Sequence, residues 1–229
     1  MIITIDGQAH TGKSTVAANL AARYGCCLLN TGAMYRTVAH KLTSHGVPLR
    51  ANGDEPPRDL LLSLIAEDVF ELEGDRVILN GEVVDHDAIF TESIGKVASI
   101  VCEYLEVRLK LQSEQRRIAA RHERVVAEGR DQGSYVFPHA DFKFYLTAST
   151  TVQARRYALK KGLQSDEGSP EFAALVYGFA ERNRRDESRR HHPLQVPAGA
   201  VVVATDDLTP EQVFARLTEV VDPCLSRTA

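Results

Sequence analysis

The fold follows from one run near the start of the chain, Ile2-Ile3-Thr4-Ile5-Asp6-Gly7-Gln8-Ala9-His10-Thr11-Gly12-Lys13-Ser14-Thr15. A short β-branched segment comes first and is typical of a buried strand. A glycine-containing loop follows, and beyond it apolar residues recur at helical spacing. Glycines allow backbone amides to curl inward around an anion, and a helix amino terminus adds unpaired N–H groups. The run therefore predicts a strand, a phosphate-binding loop and a helix.

The loop matches the pattern G-x-x-x-x-G-K-S in full, in the strand-to-helix context that this motif requires. We expect Lys13 to reach the β- and γ-phosphates of ATP and the Ser14 hydroxyl to be a ligand of Mg²⁺. His10 is an unusual residue in such a loop, and its ordinary interpretation is an exposed side chain. The residues expected at the ATP phosphates are Gly7, Gln8, Ala9, His10, Thr11, Gly12, Lys13, Ser14 and Thr15.

Strands and helices alternate along most of the remaining chain. This alternation predicts an α/β fold of the P-loop NTPase type, a five-stranded parallel sheet flanked by helices. The other four strands are expected near residues 26–29, 125–127, 142–146 and 201–203. Residues 69–84 alternate around Gly74-Asp75 and Asn80-Gly81, which predicts a small antiparallel β insert. Residues 51–57 and 162–170 are predicted loops.

Composition excludes several classes of protein. The 229 residues are 44% hydrophobic and 25% charged, as in ordinary globular proteins, and the net charge of −4 argues against a nucleic-acid partner. No apolar run approaches the ~20 residues of a membrane helix, and no secretory signal is evident, so we expect a cytoplasmic protein. The four cysteines show neither metal spacing nor a disulfide framework, which indicates free, mostly buried thiols.

Polar and charged residues recur where the sheet is expected to bind ligands. Thr31 is placed to cap a helix, and Arg36 lies on that helix. Arg130 and Asp131 follow the strand at 125–127. Five arginines fall within nine residues, at Arg182, Arg184, Arg185, Arg189 and Arg190, and Arg182, Asp186 and Arg189 share one helix face. Each could be a solvated surface charge, but together they indicate a second site for a small anion.

The chain resembles the bacterial cytidylate kinases, the (d)CMP kinase branch of the nucleoside monophosphate kinases. The resemblance extends from residue 1 to about 221 and is most specific in Thr31-Gly32-Ala33-Met34-Tyr35-Arg36 and Glu128-Gly129-Arg130-Asp131-Gln132-Gly133. It implies ATP- and Mg²⁺-dependent phosphorylation of CMP or dCMP to the diphosphate by in-line transfer, carried out by a monomer. It also implies a core of residues 1–66, 123–154 and 191–229, a monophosphate-binding insert at about 67–122 and a helical lid at about 155–190.

The resemblance also assigns roles to individual side chains. Arg36 and Arg130 would hold the CMP phosphate, Arg108, Asp131 and Arg189 would contact the cytosine, and Arg182 and Asp186 would contact the ribose. Thr31 and Tyr35 complete the expected substrate-binding set. Arg155 or Arg156, with Arg184 or Arg185, would be lid arginines over the transferring phosphoryl group. Together with Lys13 and Arg130, these four arginines form the expected catalytic set.

The chain differs from the family pattern at several positions on the acceptor and lid side, among them Asn183-Arg184 in place of an acidic pair and a longer stretch at 99–106. Asn30 stands where the family usually has Asp, and Gly95 stands where it tends to have Ser. Two alternatives therefore stay open. One is a related phosphotransferase whose acceptor is another nucleoside monophosphate or a small metabolite. The other is a catalytically inactive nucleotide-binding regulator, against which the retained acceptor-side arginines argue.

Overall fold

A computed structural model of the chain describes residues 1–49, 56, 58–74, 76–163 and 166–225. The predicted loop at 51–57, except residue 56, lies outside the described residues, as do position 75 of the first hairpin turn and positions 164–165 of the predicted loop at 162–170. In chain order the elements are β1 (Ile2–Gly7), α1 (Lys13–Tyr24), β2 (Cys27–Asn30), α2 (Thr31–Ser44), α3 (Arg58–Ile65), β3 (Phe70–Glu73), β4 (Arg76–Leu79), β5 (Glu82–Val83), α4 (His86–Ile89), α5 (Glu92–Val101), α6 (Leu105–Ala119), β6 (Val125–Glu128), a π-helical turn (Gln132–Val136), β7 (Phe142–Thr147), α7 (Thr150–Lys161), α8 (Pro170–Ser188), β8 (Val201–Ala204) and α9 (Pro210–Leu225).

The predicted five-stranded sheet is confirmed, with strand order β2-β6-β1-β7-β8. β1 pairs in parallel with β7, with Ile5 opposite Phe144 and Gly7 opposite Leu146, and β7 pairs in parallel with β8. Ile5, Phe144 and Leu146 are fully buried. Strands that are covered on both faces carry such continuous apolar runs. The sheet therefore places the end of β1, and the loop that follows it, beside the end of β7.

The chain divides into two compact units, residues 1–26 with 126–229 and residues 27–125. In the first unit α1 packs against α9, and α7 packs against α8. In the second unit α2 packs against α5, and α3 against α6. The second unit also holds the predicted β insert, an antiparallel sheet of order β3-β4-β5. Its second turn has positive φ at Asn80 and Gly81, as a tight type I′ hairpin requires.

Two local predictions are wrong, and two elements were not predicted. Asn30, and not Thr31, caps α2, since its Oδ1 accepts a hydrogen bond from the Ala33 N–H at 3.1 Å. Asn and Asp are nearly equivalent caps, so the difference from the family at this position preserves the start of the helix. The thiols are not mostly buried, because Cys224 is exposed and the other three are partly exposed. α4 and the π-helical turn were not predicted. Within the described ranges, no helix has the length and apolarity needed to span a bilayer.

Gly7 lies close against the backbone of β7. Its φ is 142°, and a Cβ there would lie 2.0 Å from the carbonyl oxygen of Leu146. We expect Gly7→Ala to lower the free energy of unfolding by about 3 kcal/mol or more, because backbone atoms must move. The control is Gly25→Ala, which has a φ of 60° and open space around it and should cost only about 1–2 kcal/mol. Urea unfolding measures both losses, and equal losses would contradict the close approach.

Candidate functional site

The loop between β1 and α1 has the backbone geometry of an anion-binding turn. Its φ angles are positive at Gly7, His10 and Gly12, and α1 begins directly afterwards at Lys13. The buried Lys13 side chain folds back over the loop, where Nζ donates to the Gln8 carbonyl at 2.5 Å and to Thr11 Oγ1 at 3.4 Å. The ammonium group and the first amides of α1 therefore belong to one cationic pocket.

The surroundings of Lys13 disfavour the charged form of its side chain. Burial lowers the pKa of its ammonium group, and Arg130 lowers it further, while Glu128 and Asp6 raise it. A phosphate group at the loop would favour the charged form, because it adds negative charge beside a poorly solvated cation. The electrostatics of the loop therefore suit an anionic ligand.

Ser14 and Glu128 place two side-chain oxygen atoms beside the loop. The Ser14 hydroxyl donates to Glu128 Oε1 at 2.8 Å, and Glu128 is buried at the end of β6. Magnesium ions in nucleotide sites use one or two protein oxygens and complete their shell with phosphate and water. The pair fits such a site. Across the described residues no cluster of three or more His, Cys, Asp or Glu could hold a metal by itself. Sequence reasoning missed Glu128, although its place at the end of a central strand was a usable signal.

The turn after β6 is fixed by the end of β1. Both carboxylate oxygens of buried Asp6 accept backbone hydrogen bonds, from Gln132 at 2.8 Å and from Gly133 at 2.7 Å. Arg130 donates to the Gly7 carbonyl at 2.6 Å and contacts Asp186 on α8, with Nε 3.2 Å from Oδ2. One turn therefore links the phosphate loop to α8.

Asp131 is buried within the same group. Gln132 Nε2 donates to its Oδ1 at 3.3 Å, and Nδ1 of His192 lies 4.0 Å from its Oδ2. The His192 ring stacks on Tyr135 with centroids 4.5 Å apart, and Arg189 Nε donates to the His192 carbonyl. Asp131 is thus connected through His192 to Arg189, which directly follows α8. Sequence reasoning missed His192, which has no motif around it.

Asp186 carries the negative charge among the α8 arginines. Burial alone raises the pKa of its carboxyl group, but Arg130, Arg182 and Arg189 outweigh burial and hold the pKa below its ordinary value. Asp186 is therefore an ion inside a cationic cluster, and the interpretation as a surface ion pair does not apply to it.

A second group of predicted substrate residues lies on α2 and α6. Thr31 is buried at the first position of α2, and Arg108 is almost completely buried on α6. The guanidinium of Arg108 donates to the Cys102 carbonyl at 2.9 Å and lies 5.8 Å from the Tyr35 ring centroid. Two of the predicted residues on α2 and α6 are thus in contact.

Arg36 is held by the segment between α4 and α5. Its Nη1 donates to the carbonyls of Ile89 at 2.8 Å and Thr91 at 3.1 Å, and its guanidinium lies 4.9 Å from the Phe90 ring centroid. A Cβ at Gly95 would lie 2.7 Å from Nη2. Gly95 therefore provides the space in which this guanidinium is held.

The four predicted lid arginines have different surroundings. Arg156 donates to the hydroxyl of Thr205 at 2.9 Å and lies 3.4 Å from the His10 carbonyl, so it adjoins the phosphate loop. Arg155 pairs with Glu167 at 2.5 Å and Arg184 with Glu181 at 2.6 Å, both on the surface. Arg185 is exposed. Surface ion pairs contribute little stability, so Arg155 and Arg184 can exchange their partners readily.

The prediction that His10 is an exposed loop side chain is wrong. Its ring makes edge contacts with Tyr157 and Phe179, with centroids 5.2 and 5.1 Å away. Burial lowers the pKa of this imidazole to about 4, and nearby Arg182 and Lys13 lower it further. His10 is therefore a neutral aromatic contact between the loop and helices α7 and α8.

A parallel sheet, a complete phosphate-binding loop and a cationic group beyond it define a nucleotide-binding protein of the P-loop NTPase class. The sequence model described as cytidylate kinase matches residues 3–223, and the chain belongs to that family. It is similar to the cytidylate kinase of Caldanaerobacter subterraneus, with 36% identity over 96% of this chain and 93% of that one. It is also similar to that of Chlamydia felis, with 39% identity over 97% and 99%. An uncharacterized protein from Eubacterium ventriosum shares the fold, with a TM-score of 0.52, 10% identity and coverage of 97% and 98%.

His10 should make stability depend on pH. Because its pKa is 6.5 unfolded and about 4 folded, its contribution is complete above pH 6.5 and is lost as the pH falls toward 4. His10→Phe keeps a ring that does not titrate. Between pH 7.5 and 5 the wild type should lose about 1–2 kcal/mol more unfolding free energy than the variant. Urea unfolding at both pH values gives this difference, and parallel losses would mean that His10 is solvated.

Proposed function

We propose that the protein transfers the γ-phosphoryl group of ATP to CMP or dCMP and releases the nucleoside diphosphate. The observation that carries this proposal is the burial of the Asp131 carboxylate beside Arg130. Arg130 donates a hydrogen bond to the Gly7 carbonyl of the phosphate loop. Cytosine presents an amine that a carboxylate accepts, and its N3 and O2 accept from guanidinium groups. Membership of the cytidylate kinase family supports the same acceptor. We also infer that the protein acts as a cytoplasmic monomer in pyrimidine metabolism.

On the acceptor side, the proposal gives phosphate binding to Arg36 and Arg130, whose planar groups pair bidentately with phosphate oxygens. Asp131, with Arg108 and Arg189, would contact the base. Arg182 and Asp186 would contact the ribose, and Thr31 and Tyr35 would line the substrate site. The fixed orientation of Arg36 supports a role in phosphate binding, because its hydrogen bonds to the Ile89 and Thr91 carbonyls come from Nη1. Nε and Nη2, the edge that pairs with phosphate, are then held in one direction.

On the donor side, the amides of residues 7–15 and the Lys13 ammonium would hold the ATP phosphates. Ser14 and Glu128 would hold Mg²⁺, which when bound neutralises phosphate charge. The protein needs no nucleophile of its own, because the attacking oxygen of the monophosphate is already anionic. Its residues position the two phosphates in line, neutralise the developing charge and exclude water. Arg156 adjoins the loop, and Arg155, Arg184 and Arg185 are candidates to move onto the transferring group.

The test is an ADP-release assay with ATP, Mg²⁺ and, separately, CMP, dCMP, UMP and AMP. We expect kcat/KM for CMP or dCMP to exceed that for AMP by about a hundredfold or more, because polar groups built for one base are left unpaired by another. The control Lys13→Ala should be inactive with every acceptor. Equal or faster turnover of UMP or AMP would refute the acceptor assignment. No ADP release with any monophosphate would favour a regulator instead.

Gly95 offers a separate test of Arg36. In Gly95→Ala the new methyl group meets Nη2, the edge assigned to phosphate, so KM for CMP should rise about fivefold to tenfold. kcat and KM for ATP should change little. The control is Gly178→Ala on α8, where a Cβ meets nothing within 4 Å. An unchanged KM for CMP in Gly95→Ala would remove Arg36 from the phosphate site.

A further inference from the structure

Three consecutive residues of the phosphate loop dock onto helices α7 and α8. Ala9 packs in a buried apolar cluster with Ala154, Phe172 and Phe179. His10 contacts the edge of this cluster, as described above. Gln8 makes polar contacts on the other side, and these contacts have no counterpart in the phosphate-binding motif, which uses backbone amides.

The Gln8 contacts belong to a hydrogen-bonded chain of four side chains, which the backbone of α8 closes into a ring. Asn183 Nδ2 donates to Gln153 Oε1 at 3.2 Å, and Gln153 Nε2 donates to Gln8 Oε1 at 3.3 Å. Gln8 Nε2 donates in turn to Glu187 Oε1 at 3.1 Å. Asn183 and Glu187 are four residues apart on α8, so the ring closes through one helical turn. It connects the loop, α7 and α8.

The Gln153 amide has only one usable orientation. Gln153 is fully buried and Asn183 nearly so, and Gln153 Nε2 also donates to the Ala148 carbonyl at 2.7 Å. Reversing the Gln153 amide would turn its oxygen toward two acceptors and leave Asn183 without this acceptor. A buried polar group without a partner costs about 1–3 kcal/mol. The ring therefore specifies one position of α8 against the loop.

The two ring residues on α8 each directly follow a residue that is assigned to the ribose. Asn183 follows Arg182, and Glu187 follows Asp186. Asp186 pairs with Arg130, which donates to the Gly7 carbonyl. Gly7 is thus connected to Asp186 through Arg130, and the neighbouring Gln8 is hydrogen-bonded directly to the neighbouring Glu187. A shift of the loop would be transmitted to α8 at both points.

We propose that Gln8, Gln153 and Asn183 are positioning residues that couple nucleotide binding at the phosphate loop to the placement of Arg182 and Asp186. The side chains of Gln153 and Asn183 act only through others, by holding α8 in register with the loop. The inference rests on the proposed function for its kinetic consequence, but the coupling itself concerns only ATP and α8.

The first test is Gln153→Met, which keeps the length and volume of the side chain and removes its hydrogen bonds. We expect kcat with CMP to fall about tenfold or more, since small misplacements of catalytic groups are costly, while KM for ATP changes less than about threefold. The control is Thr218→Val on α9, which removes a buried hydroxyl that donates to Ala215 and should lower Tm without changing kcat. A Gln153→Met variant with a lowered Tm but wild-type kcat well below its Tm would overturn the proposal.

A double-mutant cycle adds the half-exposed Gln8, so that the test stands if Gln153→Met fails to fold. Gln8→Met should also lower kcat, because it breaks the same ring. For the same reason, the kcat of the double variant Gln8→Met/Gln153→Met should be no more than about twofold below that of the slower single variant. Multiplied effects would mean that the two residues act independently. If Gln153→Met does not fold, wild-type kcat in Gln8→Met alone would overturn the proposal.

Hydrogen exchange with ATP and Mg²⁺ but no acceptor separates this proposal from the choice of substrate. In the wild type, ATP should slow amide exchange both in residues 7–16 and in residues 180–188. In Gln8→Met the protection should be confined to residues 7–16. Protection of α8 that persists in the variant would overturn the coupling, whichever acceptor the enzyme uses.

Discussion

The carboxylate of Asp6 fixes the geometry on which the rest of the candidate site depends. Asp6 lies one residue before the end of the central strand and accepts two backbone hydrogen bonds from the turn after β6. Burial raises the pKa of this group to about 7, although the two amides and Lys13 oppose the shift. The carboxylate is costly to bury, and its two amide partners make one conformation of the turn much better than others. That conformation directs Arg130 toward both Gly7 and Asp186.

From Asp6 the contacts form a circuit around the phosphate loop. The turn carries Arg130, Arg130 pairs with Asp186 on α8, and α8 returns to the loop through Glu187 and Gln8. The links from Asp6 to Asp186 are short and at least partly removed from water, where charge-assisted hydrogen bonds are strongest, while the contact between Gln8 and Glu187 is exposed. The loop is therefore held from its own strand and from α8. The positive charges concentrated here also explain how a protein of net charge −4 suits a small anionic ligand.

The sequence predicted those parts of the structure that depend on local pattern. The loop motif, the apolar strands and the Asn80-Gly81 turn each carry their conformation in a few adjacent residues. The failures depend on contacts that are distant in sequence. Thr31 and Asn30 are both good caps, and only the exact helix start separates them. The π-helical turn exists because Asp6 binds its amides from more than 120 residues away. His10 and Gln153 carry no signal at all until α7 and α8 are placed against the loop.

The arginines show why sequence spacing predicts which face of a helix a residue occupies better than it predicts what that residue does. Arg155 and Arg156 are adjacent, but successive helical residues point about 100° apart, so Arg156 faces Thr205 and the loop while Arg155 faces Glu167 at the surface. On α8 the same rule places Asp186 inside and leaves Arg184 and Arg185 outside. Arg182 on α8 and Arg189, which follows the helix, lie within range of the Asp186 charge. Asp186 and Arg189 are held by partners within this group. The outer set has solvent or surface carboxylates, which it can leave at little cost. One cluster of like residues thus contains both side chains held by buried partners and side chains that lie in solvent.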